Sequence, residues 1–138
     1  MSDAAANKAL LEIVYRRWNA TKGGAVDELM AVFDDAVTFG SLADVASPAP
    51  LTAMAIGRHE VRGYVSGMLA AWSMIHYTVD TMIAEGDRVA VVGSTAWTNK
   101  ATGKICETPK VDVWVFSNGR AVSFFEYFDT ARMIAAAN

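Results

Sequence analysis

Hydrophobic residues recur at helical spacing in the first half of the chain. In residues 4–21, Leu11, Tyr15 and Trp18 lie on one stripe at spacings of four and three, which predicts an amphipathic helix. Two shorter stretches with one apolar side predict further helices, and the sequence AVTFGSL between them predicts a strand. The two further helices are expected over residues 26–33 and 58–72.

Alternating apolar and polar residues fill the second half of the chain. They predict four long strands, and the joins between them are so short that neighbouring strands must run antiparallel. The last residues are expected to form a short helix that Asp129 caps. The strands are expected over residues 75–84, 88–99, 104–116 and 120–129, and the closing helix over residues 130–137.

Three helices ahead of a curved antiparallel sheet predict an α+β domain with segregated layers. A chain of 138 residues fits one such domain, which we place over residues 1–138. A long sheet wrapped around a few helices leaves a concave apolar hole, which is the usual form of a small-molecule site.

Residues 43–57 predict a long loop in front of that hole. The segment contains two prolines and has no charge after Asp44. It also carries Leu51, Met54 and Ile56, which is unusual for a loop that only contacts water. Long loops of this kind are commonly functional, and we expect this one to cover the mouth of the hole as a lid.

The last long hairpin, residues 110–129, carries two carboxylates among aromatic side chains. Its strands flank Ser117-Asn118-Gly119, which is a strong hairpin signal. With a three-residue turn closed by a glycine bulge, Asp112 lies opposite Phe124, and Glu126 is its diagonal neighbour about 7–8 Å away. A two-residue Asn-Gly turn would place the two carboxylates on opposite faces. The residues expected on the shared face are Asp112, Trp114, Phe116, Phe124, Glu126 and Phe128.

Charge and composition exclude several classes of function. The net charge is −3 and the 12 Lys and Arg residues are scattered, so no nucleic acid is expected as a partner. No apolar stretch is long enough for a membrane span and the first residues lack a signal-peptide pattern, so we expect a cytoplasmic protein without a membrane partner. Neither histidine nor the single cysteine, Cys106, has neighbours at metal-ligand spacing, so no metal is expected.

Four motifs and the order of the elements resemble the NTF2-like superfamily. The motifs are DELMAVFDDAVTF (residues 27–39), IAEGDRVAV (83–91), VDVWVFSNGR (111–120) and EYFDTA (126–131). The branch that they resemble is that of the SnoaL-like polyketide cyclases, with ketosteroid isomerases and limonene-type epoxide hydrolases as related branches. The resemblance implies a cone-shaped α+β fold with an apolar pocket and a homodimer formed through the outer face of the sheet. It specifies the reaction poorly, because this fold carries many chemistries.

The same resemblance assigns roles to three residues. Asp112 matches the position where ketosteroid isomerases keep a protonated aspartic acid, and Glu126 matches a catalytic aspartate of the cyclases and epoxide hydrolases. A first-helix tyrosine of the isomerases matches Tyr15 or its neighbour Val14. The isomerases' base falls on Gly40, so their residue set is incomplete. The epoxide hydrolases' Arg and Asp pair is also absent, because it falls on Gly93 and Thr95.

A structural interpretation of each carboxylate stays open at this point. Asp112 lies on an outer, solvated face if the valines on either side of it form the core. Glu126 forms an ion pair across the hairpin with Lys110 in the predicted register, and such a pair contributes little to stability when it is exposed.

The residues and the resemblance together predict a small, cofactor-free enzyme that acts on a hydrophobic carbonyl compound by general acid–base catalysis. Glu126 would move the proton, and burial would keep Asp112 protonated so that it donates to the enolate oxygen. Tyr15 or the N–H group of a tryptophan would assist. The alternative is a non-catalytic module for ligand binding or dimerisation. The expected partner is a small hydrophobic molecule, and the residues expected to line its pocket are Trp18, Phe39, Met54, Met68, Trp72, Trp97, Trp114 and Phe128.

Overall fold

The first helix forms where the apolar stripe predicted it. In the computed structural model, which describes residues 3–46 and 54–138, helix α1 spans Ala4–Ala20. The side chain of Asp3 accepts hydrogen bonds from two backbone amides of the first turn, which have no partner within the helix. Leu11, Tyr15 and Trp18 are all buried, so the stripe faces the core.

The second predicted helix is shorter than its apolar pattern indicated. Helix α2 ends at Met30, and Phe33 already begins strand β1, so the prediction of a helix as far as residue 33 is wrong. The chain becomes extended there because Phe33 pairs with Ala121 of the last strand, a contact that local periodicity does not encode. The helices after α1 are α2 (Val26–Met30), α3 (Leu42–Ala46), α4 (Arg58–Ala71) and α5 (Thr130–Ala137).

One six-stranded sheet runs through the described part of the molecule, in the order β2-β1-β6-β5-β4-β3. The four long strands form the predicted antiparallel meander, and the predicted α+β fold is confirmed. The sheet is nevertheless mixed, because β1 runs parallel to β6. The strands are β1 (Phe33–Ser41), β2 (Ala55–Ile56), β3 (Trp72–Glu85), β4 (Arg88–Asn99), β5 (Ile105–Ser117) and β6 (Arg120–Phe128).

The segment predicted as one long loop contains regular structure at both ends. Helix α3 occupies its beginning, and the short strand β2 pairs antiparallel with β1 near its end. Met54 and Ile56 are exposed. Leu51 lies outside the described residues. The prediction of an uninterrupted loop over residues 43–57 is therefore wrong.

The turn of the last hairpin differs from the predicted one. Ser117 lies opposite Arg120, so the turn consists of two residues, Asn118 and Gly119. Both have positive φ angles, 52° and 78°, as a type I′ turn requires. On its own this turn would have placed the two carboxylates of the hairpin on opposite faces.

A β-bulge at Val122 reverses that effect. The pairs on either side of the bulge skip Val122, so β6 contains one residue more than β5 at this point. Beyond the bulge, Asp112 lies directly opposite Glu126, where Phe124 had been predicted. The predicted register is wrong, but the shared face is confirmed. The buried residues on that face are Asp112, Trp114, Phe116, Phe124 and Glu126.

The core lies between the helices and one face of the sheet. Trp114 is its largest fully buried side chain; its ring stacks on Phe33 at 5.5 Å and meets Phe124 edge-on at 4.8 Å. Aromatic side chains from β1, β5 and β6 therefore hold the centre of the sheet against α1 and α4. None of the helices described in residues 3–46 and 54–138 is long and apolar enough to cross a membrane.

Candidate active site

A cavity of about 320 Å³ lies between the helices and the sheet. Helices α1 and α4 and strands β3 to β6 supply most of its wall, and Met133 and Ala137 of α5 contribute at one end. The wall is mostly apolar and aromatic, which is typical of sites for small organic molecules. Its polar part is concentrated in the side chains of Tyr15, Tyr64, Tyr77, Thr95, Thr108, Lys110, Asp112 and Glu126.

Asp112 is the most deeply buried of these polar residues, with 2% of its surface exposed. Its Oδ2 atom accepts hydrogen bonds from the hydroxyls of Tyr15 and Tyr77, each at 2.5 Å. Its Oδ1 atom pairs with the ammonium group of Lys110, also at 2.5 Å. Three donors thus converge on this carboxyl group and both of its oxygens accept hydrogen bonds, so the role in which Asp112 itself donates to a substrate stays a prediction.

Lys110 joins the two carboxylates. Its Nζ atom lies 2.5 Å from the hydroxyl of Tyr77 and 3.5 Å from Oε1 of Glu126, in addition to its contact with Asp112. Burial alone would lower the pKa of Lys110, but the charges of Asp112 and Glu126 outweigh it and raise the pKa well above its usual range. The side chain of Lys110 therefore stays protonated near neutral pH. It also lies over the ring of Tyr77, 4.9 Å from the ring centre.

Glu126 is held from the opposite side of the cavity. Its Oε2 atom accepts a hydrogen bond of 2.7 Å from the hydroxyl of Ser41, the residue that faces it across the parallel β1–β6 pair. The hydroxyl of Ser41 in turn accepts a bond from the amide of Ala43, which fixes its direction. The Oε1 atom of Glu126 lies 3.5 Å from Nζ of Lys110, a longer contact. One oxygen of this carboxylate is thus anchored, and the other faces the cavity with a weaker partner.

The tyrosines around the two carboxylates are neutral donors. Burial and, after it, the charge of Asp112 raise the pKa of Tyr15 and of Tyr77 well above the usual range. Burial and then the charge of Glu126 do the same for Tyr64. The hydroxyl of Tyr15 also accepts a bond of 2.9 Å from the indole of Trp114. Tyr15 is fixed from both sides, which explains its position between the core and the cavity.

The structure brings together nearly all the residues that the sequence assigned to the site. Met54 is the exception, because half of its surface is exposed and it is absent from the cavity wall. The position matched to the isomerases' base, Gly40, faces away from the cavity, since a side chain there would meet Phe125 on the other side of the sheet. The assigned residues that line the cavity are Tyr15, Trp18, Phe39, Met68, Trp72, Trp97, Asp112, Trp114, Glu126 and Phe128.

Sequence reasoning missed Lys110, Tyr77, Ser41 and Tyr64. Lys110 stands two residues before Asp112 on the same strand, so alternation alone could have placed it on the same face. Tyr77 could be found in the same way from the alternation along β3. Ser41 and Tyr64 meet Glu126 only because β1 pairs with β6 and α4 packs on β1, and no local signal in the sequence announces either contact.

Comparisons with known proteins agree on the fold. The sequence profile of the SnoaL-like domain matches residues 13–124. A solved NTF2-like protein of unknown function from Burkholderia pseudomallei is 26% identical, with a TM-score of 0.82 over 100% of this chain and 99% of the other. No curated protein matches the sequence.

Two further solved structures share the fold at lower identity. A protein from Mesorhizobium loti, provisionally assigned as a SnoaL-like polyketide cyclase, is 19% identical, with a TM-score of 0.73 over 92% of this chain and 99% of the other. A protein from Catenulispora acidiphila with a ketosteroid isomerase-like fold, solved with trimethylamine, is 18% identical, with a TM-score of 0.72 over 87% and 88%. At such identities the likeness concerns the fold alone.

Proposed function

The chain belongs to the SnoaL-like domain family of the NTF2-like superfamily, and from that premise we propose that it is a cofactor-free enzyme that removes a proton next to the carbonyl group of a hydrophobic substrate. The observation that carries the proposal is the position of Lys110, a buried cation between two carboxylates on the wall of an apolar cavity. Burying an ion pair in such surroundings is costly. If these three residues had a purely structural role, they would therefore add little to the stability of the fold.

In this proposal Glu126 is the general base. Its Oε1 atom takes the proton from the carbon beside the carbonyl group; the C–H bond breaks, an O–H bond forms and the electron pair moves to the carbonyl oxygen. Ser41 holds the other carboxylate oxygen at 2.7 Å and so fixes the direction of Oε1. A positioned carboxylate of this kind contributes about 10²- to 10⁴-fold to the rate.

Lys110 stabilises the negative charge that develops on the carbonyl oxygen. Two of its N–H groups are directed to Asp112 and Tyr77 at 2.5 Å, whereas its contact with Glu126 is 3.5 Å long. The third N–H group is therefore free to donate to a substrate oxygen placed beside Glu126. Burial would lower the pKa of Lys110, but the charges of Asp112 and Glu126 raise it further, so Lys110 stays protonated. A protonated lysine does not act as an amine nucleophile.

Asp112, Tyr15 and Tyr77 act as positioning residues in this scheme. Asp112 holds the ammonium group of Lys110 in place and compensates its charge. The two tyrosines donate to Oδ2 of Asp112 and so fix the direction of its carboxyl group. The sequence predicted that Asp112 polarises the carbonyl group of the substrate. In this proposal Lys110 does so instead.

Hydrogen–deuterium exchange into an apolar ketone tests the proposal directly. We expect the protein to accelerate the exchange of the α-protons of 2-tetralone in D2O, followed by proton NMR, above the rate in buffer. The Glu126→Gln variant should lose about 10²-fold or more of this acceleration. Glu107→Gln is the matched control, because Glu107 lies on β5 with its side chain exposed on the other face of the sheet.

A protein that binds 2-tetralone without accelerating exchange would instead be the non-catalytic binding module. If the wild type and Glu126→Gln accelerate deuterium exchange equally, Glu126 is not the general base.

We also propose that two copies of the chain associate through the outer face of the sheet. That face lies opposite the cavity and carries several exposed apolar side chains, among them Ile83, Ile105 and Tyr127. An exposed apolar patch on a sheet is typical of an interaction surface. A second copy of this chain is the occupant that the family resemblance favours.

A further inference from the structure

The charged side chains on the wall of the cavity do not balance. Among the described residues that line it, Lys110 is the single basic side chain, whereas Asp112 and Glu126 are two acidic ones. With all three ionised, the cavity carries one negative charge in excess. Residues 47–53, which are not described, contain no charged side chain, so they add nothing to either sign.

The excess charge resides on Glu126. Lys110 is 2.5 Å from Asp112 but 3.5 Å from Glu126, so its charge compensates Asp112 first. Ser41 and Tyr64, which also meet Glu126, are neutral and supply only hydrogen bonds. Because the surroundings are apolar, the field of this charge is screened much less than it would be in water.

No other group facing Glu126 in the described structure supplies a positive charge. The titratable groups around it are Lys110 and Asp112 from β5, Tyr15 from α1, Tyr64 from α4 and Tyr77 from β3. The three tyrosines stay neutral because burial and the carboxylate charges raise their pKa values. Any further charge in the cavity must therefore come from the ligand or from a proton.

We propose that this uncompensated carboxylate makes the cavity select its ligand by charge: it binds an uncharged apolar ketone or ester and excludes the corresponding carboxylate. The inference rests on the proposed function in so far as both place the substrate beside Glu126. It adds the class of the substrate, a neutral carbonyl compound without a free acid group.

The proton transfer proposed above is consistent with this selectivity. When Glu126 takes the proton it becomes neutral and the enolate becomes negative, so the net charge of the cavity does not change. A substrate with its own carboxylate would add a second uncompensated negative charge next to Glu126. That charge could enter only together with a proton from solvent.

A matched pair of ligands measures the selectivity without any turnover. The probes are methyl 2-naphthylacetate and 2-naphthylacetic acid, which share one apolar skeleton and differ in charge, and naphthalene fluorescence reports binding. At pH 7.5 we expect the acid to bind about tenfold more weakly than the ester, or weaker still. The affinity of the acid should fall further as the pH rises, whereas that of the ester should stay constant.

Two variants locate the charge responsible. Glu126→Gln removes the negative charge from the cavity with little change of shape, so the acid and the ester should then bind with similar affinity. Glu107→Gln removes the same charge from the outer face of the sheet and should keep the wild-type discrimination. If Glu126→Gln does not fold, calorimetry of the wild type in two buffers of different ionisation enthalpy decides, because binding of the acid should take up one proton.

Equal affinity of the wild type for the acid and the ester, or binding of neither probe, would overturn the inference. So would binding of the acid without proton uptake. These results are independent of the exchange experiment. If the protein discriminates between the acid and the ester but does not accelerate deuterium exchange, only the proposed reaction is contradicted. If it accelerates exchange but does not discriminate, only the proposed charge selectivity is contradicted.

Discussion

At the scale of single residues, Asp112 is defined by its partners as much as by its burial. Two tyrosine hydroxyls and an ammonium group all donate to its carboxyl oxygens. Hydrogen bonds in which one partner is ionised are shorter and stronger than neutral ones. Asp112 is therefore the closest counter-ion that the structure offers to the buried Lys110.

Removing the charge of Asp112 should therefore destabilise the fold. Asp112→Asn leaves the buried cation Lys110 without its closest counter-ion, so we expect a loss of about 3 kcal/mol in the free energy of unfolding near pH 7. Urea unfolding curves measure this loss. Asp80→Asn, at an exposed position on β3, is the control and should change the free energy by less than about 0.5 kcal/mol. An Asp112→Asn variant as stable as the wild type would mean that Asp112 is not needed as the counter-ion of Lys110.

Alkaline pH should destabilise the protein through the same cluster. Burial and then the charge of Asp112 raise the pKa of Tyr15 above its unfolded value of 10.0, and the two carboxylates raise that of Lys110 above 10.5 against the effect of burial. A group with a raised folded pKa contributes stability that is present below its unfolded pKa and is lost as the pH rises through the folded one.

We therefore expect the free energy of unfolding to fall steadily above about pH 10, by about 1.4 kcal/mol per pH unit for each such group. Tyr15→Phe should make the fall shallower by one group's share, whatever its effect on stability at neutral pH. Urea unfolding between pH 8 and pH 11 gives both slopes. Identical slopes for the two proteins would show that Tyr15 ionises as easily in the folded chain as in the unfolded one.

Sequence analysis identified two of the three charged residues of the site. Asp112 and Glu126 stood out because polar residues are rare on an aromatic strand face. Lys110 lies on that same face and was interpreted only as an exposed partner of Glu126. The difference is tertiary. The side chain of Lys110 is only 10% exposed on the wall of the cavity, and nothing local in the sequence indicates this burial.

At the scale of the elements, two deviations in the last hairpin offset each other in their effect on the faces of the strands. The two-residue turn shifts the pairing by one residue, and the bulge at Val122 shifts it by one more in the same direction, so the total shift of two residues restores the face. The structure differs from the predicted register by two residues. Because side chains alternate faces with a period of two, the predicted face is right although the predicted pairs are wrong. Nothing in the sequence of β6 distinguishes Val122 from its neighbours as the bulged residue, and for that reason the bulge was not predictable.

Two glycine substitutions should have opposite effects on stability. Gly119 has a φ angle of 78°, so Gly119→Ala places a side chain in the left-handed region and should cost about 1–2 kcal/mol. Gly63 lies on an exposed face of α4 with open space around it, so Gly63→Ala should stabilise the protein by about 0.5–1 kcal/mol. Urea unfolding of both variants tests the pair. A neutral Gly119→Ala would contradict the type I′ turn.

At the scale of the whole molecule, the meander was predictable and the placement of the first strand was not. Short joins force β3, β4, β5 and β6 to lie side by side, which the sequence states almost directly. The parallel pair of β1 and β6 joins residues far apart in the chain, and this pair brings Ser41 to Glu126. A single sequence does not indicate which distant segments pair. The contact between Ser41 and Glu126 was therefore found only in the structure.

The arrangement of the sheet also determines where two copies can meet. The helices and the cavity occupy one face, so the opposite face of β5 and β6 remains as an apolar surface, with Val113 near its middle opposite Phe125. The side chain of Tyr127 on this face is 45% exposed, and it packs against Phe125 with the ring centres 4.8 Å apart. Burying this surface between two copies would remove its apolar area from water.

We expect the wild type to sediment as a dimer and Val113→Lys to sediment as a folded monomer, because a lysine in the middle of a closed apolar interface would lose its hydration without gaining a partner. Ile13→Lys is the matched control, since Ile13 is an exposed apolar residue on α1, remote from the outer face, and this variant should remain dimeric. Sedimentation velocity distinguishes the two states, and far-ultraviolet circular dichroism checks that each variant is folded. A monomeric wild type, or a dimer that survives Val113→Lys, would place any association elsewhere on the molecule.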